Sequence, residues 1–287
     1  MSKEHFWPEW SAPMLPRTKN PSYHEGKITI TRKSTIVDRK LQKRQGSVAT
    51  KKIRVVCEDC NNGWMNNVET NARPILELLI AGNPTTLNQD QQRVLTERII
   101  MKVMVAEHNI PEDAVIPRVD KETFRTDKII PPCISVWIGK HNVSGWHTGF
   151  YKHAATLSLK PSPPLSAAGG RKNVETLAFG FGALFGFVMV SDPGWVDLKD
   201  FIRVVNLPRL WPPVGGDLNW GALTLSGNAP GDIATPLSVL PLTRRFFGFR
   251  FLKVCDFGSG APARAGSSMA YFRAAKPQHI ALVVQKT

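Results

Sequence analysis

The chain has few cysteines, and their placement argues against a disulfide framework. Only four occur in 287 residues: Cys57 and Cys60 form one CxxC pair, while Cys133 and Cys255 stand alone. Secreted domains that depend on disulfides carry more cysteines at closer spacing. A reducing compartment, the cytoplasm, is therefore the expected location.

Long hydrophobic runs are also lacking. The most apolar stretch, residues 177–190, has 14 residues and includes three glycines, whereas a membrane-spanning helix needs about 20 apolar residues. The first residues contain no apolar core of the kind found in secretory signals. The sequence therefore predicts no membrane partner, and residues 177–190 are predicted to form a buried strand or strand pair.

Acidic residues are scarce relative to basic ones. Lysine and arginine number 37 against 23 aspartates and glutamates, which gives a net charge of +14. Residues 1–54 alone hold 13 basic and 4 acidic side chains. Because clustered cations release counterions from a phosphate backbone, this distribution favours a nucleic-acid partner. A generically basic soluble protein is the alternative.

The remaining composition is that of a folded protein. Hydrophobic residues make up 42% of the chain, which includes 8 tryptophans and 14 phenylalanines. A sizeable core is therefore expected, in two domains or in one domain with a small appended finger.

The sequence KKIRVVCEDCNNGWMNNVE, residues 51–69, carries the most distinctive local pattern. The β-branched residues Ile53, Val55 and Val56 predict a short strand that leads into Cys57 and Cys60. A CxxC turn allows both sulfurs to face one ion. The residues after it predict a helix, so the pattern indicates a strand, a knuckle and a helix.

Two segments together resemble the HNH endonucleases. These are SKEHFWPEW, residues 2–10, and VVCEDCNNGWMNNVE, residues 55–69; the similarity is to the branch in which an EHxxP segment is paired with a later CxxCN knuckle. The resemblance covers about the first quarter of the chain. It implies an HNH-like ββα-metal finger over residues 1–81 and cleavage of phosphodiester bonds, with double-stranded DNA as the expected substrate.

The resemblance also implies roles for individual residues. Glu4 would bind a catalytic metal ion, His5 would deprotonate the attacking water, and Asn61 would be a second metal ligand, with Asn62 as the alternative if the register differs by one. Carboxylate and amide oxygens suit Mg²⁺ or Mn²⁺. Zn²⁺, if bound, would be structural and held by Cys57 and Cys60.

The chain departs from the family pattern in two ways. A middle asparagine that orients the base is often found before the knuckle, where this chain has Lys51 and Lys52. A structural zinc is usually completed by a second CxxC upstream of the EH pair, and two thiolates do not close a tetrahedral site. Three explanations for the missing zinc ligands are open: the reading frame is truncated upstream, His24, Cys133 or a carboxylate supplies a ligand, or packing holds the finger without zinc. The first and the third are favoured.

A redox function for the CxxC pair is a further alternative, although the surrounding βαβ pattern expected for such a site is missing.

The periodicity of the sequence predicts the other elements. Residues 1–21 should be mostly irregular, and strands are expected at 27–37 and 47–56, joined by a basic loop at 38–46. Helices are expected at 61–72, from Pro74 to Gly82, and from Asn88 to about His108. Asn88 and Gln91 form a capping-box-like arrangement at the start of the last of these. Short β-like runs at 133–139, 144–151, 154–160, 177–190 and 244–254 predict that residues 82–287 form an α+β domain with a mostly antiparallel sheet. That domain could select the substrate.

Phosphate contacts are expected from the basic residues of the predicted loop and the following strand, because such contacts give affinity without sequence information. These residues are Arg39, Lys40, Lys43, Arg44, Lys51, Lys52 and Arg54.

The main alternative is a non-catalytic nucleic-acid-binding or interaction protein in which a degenerate HNH finger survives only as a fold. A third class is an enzyme whose site lies after residue 82. The sequence does not predict an oligomeric state.

Overall fold

The computed structural model describes residues 2–15, 21–30, 36–108, 111–140, 146–155, 157–158, 172–191, 207–220, 271–272 and 278–286. These residues form helices and antiparallel sheets, so the chain belongs to the α+β class. The expected strand at 244–254 and Cys255 lie outside the described residues.

The helices are α1 (Glu58–Cys60), α2 (Asn66–Ala81), α3 (Gln89–Glu107) and α4 (Arg118–Asp127). Short 3-10 turns cover Glu9–Met14, Val48–Thr50 and Pro111–Asp113, and a π-type turn covers Asn61–Met65. The strands are β1 (Ser2–His5), β2 (Ser22–Ile30), β3 (Ile36–Gln45), β4 (Lys52–Val56), β5 (Thr86–Leu87), β6 (Ile134–Lys140), β7 (Trp146–Ala155), β8 (Leu157–Ser158), β9 (Val174–Phe181), β10 (Leu184–Ser191), β11 (Arg209–Trp211), β12 (Leu218–Asn219), β13 (Tyr271–Phe272) and β14 (Gln278–Lys286).

The main sheet has eight strands in the order β11-β6-β10-β9-β7-β14-β2-β3, and every neighbouring pair is antiparallel. Pairs β1-β4, β5-β12 and β8-β13 form two-stranded sheets. Strands β2 and β3 come from the first quarter of the chain but extend the same sheet as β7 and β14. The expected boundary after residue 81 therefore does not separate the strands of this sheet.

The apolar run at 177–190 forms the β9–β10 hairpin, which confirms the predicted strand pair. Both strands are buried almost throughout, which explains why the run is continuously apolar rather than alternating. The turn between them contains Gly182 at φ +58°. The amide of Ala183 donates to the carbonyl of Ile80 at 2.9 Å, so this turn fixes the C-terminal end of α2 against the sheet.

The helices that follow the CxxC pair agree with the sequence in part. The capping box of Asn88 and Gln91 is present at the start of α3, and Gly82 ends α2 in the left-handed conformation, as predicted. The expected break at Pro74 is wrong, because Pro74 lies inside α2. Ala72 before it and Ile75 and Leu76 after it share one buried face, and this packing offsets the lost backbone hydrogen bond.

Two predictions for the N-terminal region are also wrong. Residues 38–45 are not a loop but belong to β3, the last strand of the main sheet, where charged side chains are tolerated at an edge. Residues 2–5 are not irregular but form β1, which pairs with β4. The strands expected to form the finger are thus divided between two sheets.

The core joins the N-terminal segment to the main sheet through aromatic contacts. The ring of Trp7 stacks on Phe181 at 4.4 Å, and the ring of Phe6 stacks on Phe150 at 4.2 Å. All four side chains are buried. These contacts fix the position of the neighbouring Glu4 and His5. No helix among the described residues is long and apolar enough to cross a membrane.

Candidate functional site

The pairing of β1 with β4 brings together the two segments that carry the sequence motif. Glu4 lies opposite Ile53 and His5 lies opposite Lys52 in an antiparallel register. Strand β4 then leads directly to Cys57 and the helical segment that follows. Two antiparallel strands and a helix therefore surround the motif.

Glu4 is buried and bonded to a lysine of α3. Its side chain is 8% exposed, and its Oε1 accepts a hydrogen bond from Lys102 Nζ at 2.5 Å. Lys102 Nζ also donates to the backbone carbonyl of His5 at 2.9 Å. The sequence singled out Glu4 but not Lys102, which lies within the apolar stripe of α3 and is buried with it.

Lys102 also forms an ion pair with a second carboxylate, that of Glu69. Its Nζ is 2.8 Å from Oε1 of Glu69, and Nε of Arg98 is 3.4 Å from the same oxygen. Arg98 also lies over the ring of Trp7 at 5.8 Å. Burial raises the pKa of Glu69, but Lys102 and Arg98 outweigh it and hold that pKa below its usual value. Glu4, Glu69, Arg98 and Lys102 thus form a buried network of two acids and two bases, which we call the charge network.

His5 lies at the edge of this network, and both of its ring nitrogens are buried. Its side chain is 17% exposed, and Nε2 is 3.5 Å from a carboxylate oxygen of Glu9. Neither ring nitrogen has a hydrogen-bond partner among the described residues. Burial and then the charge of Lys52 lower the pKa of His5, against the opposing effect of Glu9. The imidazole is therefore neutral at pH 7 and can accept a proton.

The CxxC pair forms a compact turn before the helix. Cys57 is the N-cap residue of α1, and its Sγ accepts a hydrogen bond from the amide of Cys60 at 3.1 Å. Cys57 is exposed, and Cys60 is half-buried. A hydrogen bond from the Cys60 thiol lowers the pKa of Cys57 and raises that of Cys60.

Asn61 and Asn62 follow in the π-type turn. The amide of Asn61 donates to the carbonyl of Cys57 at 3.0 Å; its side chain is half-buried, and that of Asn62 is exposed. Gly63, with φ −93° and ψ −111°, then interrupts the helical conformation before α2 begins.

The arrangement does not fit the metal ions that the family resemblance implies. For the catalytic ion, a Glu4 carboxylate oxygen is already bonded to Lys102. For structural zinc, the two thiols would need further ligands. Among the described side chains, no group of three or more His, Cys, Asp or Glu residues could hold a metal ion, so Cys133 does not complete a site with Cys57 and Cys60.

The predicted phosphate-binding residues lie on β3 and around β4. Lys43 and Arg44 are exposed on the edge strand, and Lys52 is exposed beside His5. The ammonium of Lys51 instead pairs with the carboxylate of Glu25. Arg39 and Lys40 lie on β3 and Arg54 lies on β4; the structure does not describe the side chains of these three residues.

A polar cavity of about 410 Å³ lies beside these cations. Its lining residues are Tyr23, Glu25, Gln45, Ser47, Thr50, Lys51, Lys52 and Ile53. Lys52 both lines this cavity and lies opposite His5 in the β1–β4 ladder. Sequence reasoning missed Tyr23 and Glu25 because only the pairing of β2 with β3 brings them to this place.

No protein-family model, curated protein or solved structure matches the chain.

Proposed function

We propose that the chain is an HNH-type endonuclease that hydrolyses phosphodiester bonds of nucleic acid, with double-stranded DNA as its substrate. The observation that carries the proposal is the pairing of β1 with β4, which places His5 beside Lys52. Cys57, Asn61 and α2 follow β4 directly. This order of strand, strand and helix is what an HNH-like ββα finger requires. Strands β2 and β3, which lie between β1 and β4 in the sequence, belong to the main sheet and not to this unit.

His5 is the proposed general base. Both ring nitrogens are buried and unpaired, so the proposed chemistry requires that substrate binding admit a water molecule to one of them. The neutral imidazole then takes a proton from that water, and the resulting hydroxide attacks phosphorus while the bond to the leaving oxygen breaks. The nearby cation Lys52 stabilises the negative charge that builds up on the phosphoryl oxygens. A lowered pKa keeps His5 in its basic form at neutral pH.

Mg²⁺ or Mn²⁺ would supply further charge stabilisation in an HNH enzyme. In this chain the Glu4 carboxylate is bonded to Lys102, so the proposed chemistry is assigned to His5 and the cations beside it. The test must therefore measure whether cleavage requires Mg²⁺ or Mn²⁺.

Substrate binding is assigned to the exposed cations of the same region. Lys43, Arg44 and Lys52 carry three positive charges on or near the edge of the main sheet. An edge strand with protruding cations can follow a phosphate backbone without reading its sequence.

The decisive experiment is cleavage of supercoiled plasmid by the full chain in Mg²⁺, Mn²⁺ or EDTA. Nicking by the wild-type chain should fall by about 10²-fold or more in His5→Ala, as expected for loss of a general base. His108→Ala is the matched control, because His108 is an exposed histidine at the end of α3. Equal nicking by wild type and His5→Ala would overturn the assignment of His5.

Binding without cleavage is the second candidate, and the Glu4–Lys102 bond favours it. A chain in which Lys102 permanently occupies the metal-binding carboxylate would retain the cationic surface but not the metal-dependent chemistry. In that case the wild-type chain retards DNA in a gel at low salt and leaves it intact in every divalent ion. Glu4→Gln would then leave binding unchanged.

A further inference from the structure

The CxxC pair is poorly suited to zinc but well arranged for bond formation between its own sulfurs. Cys57 and Cys60 belong to no group of three or more potential metal-ligating side chains among the described residues. Both are free thiols. Their chemistry therefore needs an explanation other than a closed tetrahedral site.

The local backbone holds the two sulfurs next to each other. Cys57 caps the helical turn, and its Sγ accepts the amide proton of Cys60 at 3.1 Å. Residues three apart on a helical turn have Cβ atoms about 5–6 Å apart, and a disulfide needs a Cβ separation of about 3.5–4.5 Å. Cys57 has extended rather than helical backbone angles (φ −76°, ψ 160°), so rotation at that residue is the movement that would bring the two Cβ atoms to disulfide distance.

The two thiols differ in accessibility in a way that assigns their roles. Cys57 is exposed and can meet a reagent from solution, whereas Cys60 is half-buried and packs against the core. An exposed attacking thiol with a protected neighbour is the arrangement of a dithiol that exchanges with external disulfides.

We propose that Cys57 and Cys60 form a reversible dithiol–disulfide site whose substrates are low-molecular-weight disulfides of the glutathione class. The Cys57 thiolate attacks one sulfur of glutathione disulfide, which forms a mixed disulfide and releases one glutathione thiolate. The Cys60 thiolate then attacks Cys57 Sγ, forms the internal disulfide and releases the second glutathione. Two protein thiols are oxidised, one glutathione disulfide is reduced to two glutathiones, and the two protein protons pass to the leaving thiolates.

Oxidation would affect the segment that follows. The amide of Asn61 donates to the carbonyl of Cys57, so the internal disulfide would clamp the turn from which Asn61 projects. This site does not depend on the nuclease proposal, because its chemistry needs only the two sulfurs.

The test is equilibration of the full chain with glutathione buffers from reducing to oxidising, followed by acid quenching, alkylation of remaining thiols and peptide mapping. The background is Cys133→Ser/Cys255→Ser, with the wild-type chain mapped in parallel. We expect a single two-electron transition that links Cys57 to Cys60. Cys60→Ser should stop at a glutathione adduct on Cys57, while Cys57→Ser should form at least tenfold less adduct because Cys60 is less accessible.

Three results would overturn the proposal. The first is that both thiols remain open to alkylation in the most oxidising buffer. The second is that the cysteines pair between chains or with Cys133 or Cys255 in the wild type. The third is that the purified chain contains one zinc per molecule and that this zinc protects both thiols from glutathione disulfide.

Discussion

Lys102 and Glu4 form a buried ion pair 98 positions apart in the sequence, with Nζ and Oε1 separated by 2.5 Å. The same ammonium lies 2.8 Å from Oε1 of Glu69. One lysine of α3 therefore neutralises two carboxylates, one from the N-terminal strand and one from α2. The charge network ties these three elements together beneath His5.

Removing Lys102 should destabilise the chain strongly. Lys102→Met keeps most of the side-chain volume but leaves Glu4 and Glu69 with less compensation, and breaking a buried pair in this way costs about 3–5 kcal/mol. Urea unfolding at pH 7 measures the free energy of unfolding. Arg93→Met, an exposed change on the same helix, is the control and should stay within about 0.5 kcal/mol of wild type. A Lys102→Met value equal to that of the control would contradict the charge network.

The turn at Gly182 should not accept a side chain. A Cβ at this position would lie 2.4 Å from the carbonyl oxygen of Ile80, so Gly182→Ala must displace the end of α2 from the β9–β10 turn. We expect a loss of about 1–3 kcal/mol in the free energy of unfolding.

Gly216 is the matched control for this change. It also has positive φ, at +71°, but a Cβ there would meet nothing within 4 Å. Gly216→Ala therefore carries the conformational strain without the collision. If the two variants have equal melting temperatures, the contact between α2 and the hairpin is not as close as described.

The pKa of Glu175 should lie well above its usual value in the folded chain. Burial raises its pKa well above the usual value, and Lys152 opposes this while the neighbouring Glu107 adds to it. The carboxyl group of Glu107 accepts hydrogen bonds from the amides of Val115 and Ile116 and lies 2.6 Å from Lys121 Nζ. Because the folded-state pKa is raised, the stabilising contribution is complete below the unfolded pKa of about 4.3 and is lost as pH rises through the folded value.

Glu175→Gln tests this relation because its amide cannot ionise. The free energy of unfolding of the variant should improve relative to wild type between pH 4 and pH 8. Glu77→Gln, a change at a more exposed carboxylate, should show no such trend. A difference between Glu175→Gln and wild type that is independent of pH would show that Glu175 has an ordinary pKa.

His5 should titrate below the usual histidine range. Burial and then Lys52 lower its pKa, so Lys52→Gln should move the NMR titration midpoint of His5 upward, while Lys43→Gln, farther along the edge strand, should leave it in place. Since the folded-state pKa is lowered, the contribution of His5 to stability is complete above about pH 6.5 and is lost as pH falls through the folded value. A midpoint at or above 6.5 in the wild-type chain would remove this argument for a neutral base.

Local patterns in the sequence predicted the parts of the fold that depend on local physics. Asn88 with Gln91, Gly82, and the apolar run at 177–190 each indicate an element within a few residues of themselves. The network of Lys102 with Glu4 and Glu69 was not predictable in this way, because a lysine within an apolar stripe does not reveal which distant acid meets it. Strand β3 was missed because the sequence around Lys43 and Arg44 is typical of a solvated loop, and only its pairing with β2 makes it a strand. The His5–Lys52 pairing was likewise hidden, since residues 6–51 separate the two strands.

The cationic edge of the sheet should determine how binding depends on salt. Each phosphate contact releases counterions and contributes about 0.9 to the slope of log K against log salt concentration on double-stranded DNA. Replacing Lys43, Arg44 and Lys52 with glutamine should therefore reduce the slope by about 3 if all three contact phosphates.

The matched control replaces Arg93, Arg118 and Arg125 with glutamine. These exposed arginines lie on α3 and α4, so the control removes the same charge from the helices instead of from β3 and β4. Fluorescence anisotropy with a labelled duplex, measured between low and moderate salt, gives both slopes. Equal reductions would mean that the net charge of +14, rather than the edge strand, holds the nucleic acid. A selective loss in the first variant would place the duplex along β3, next to His5.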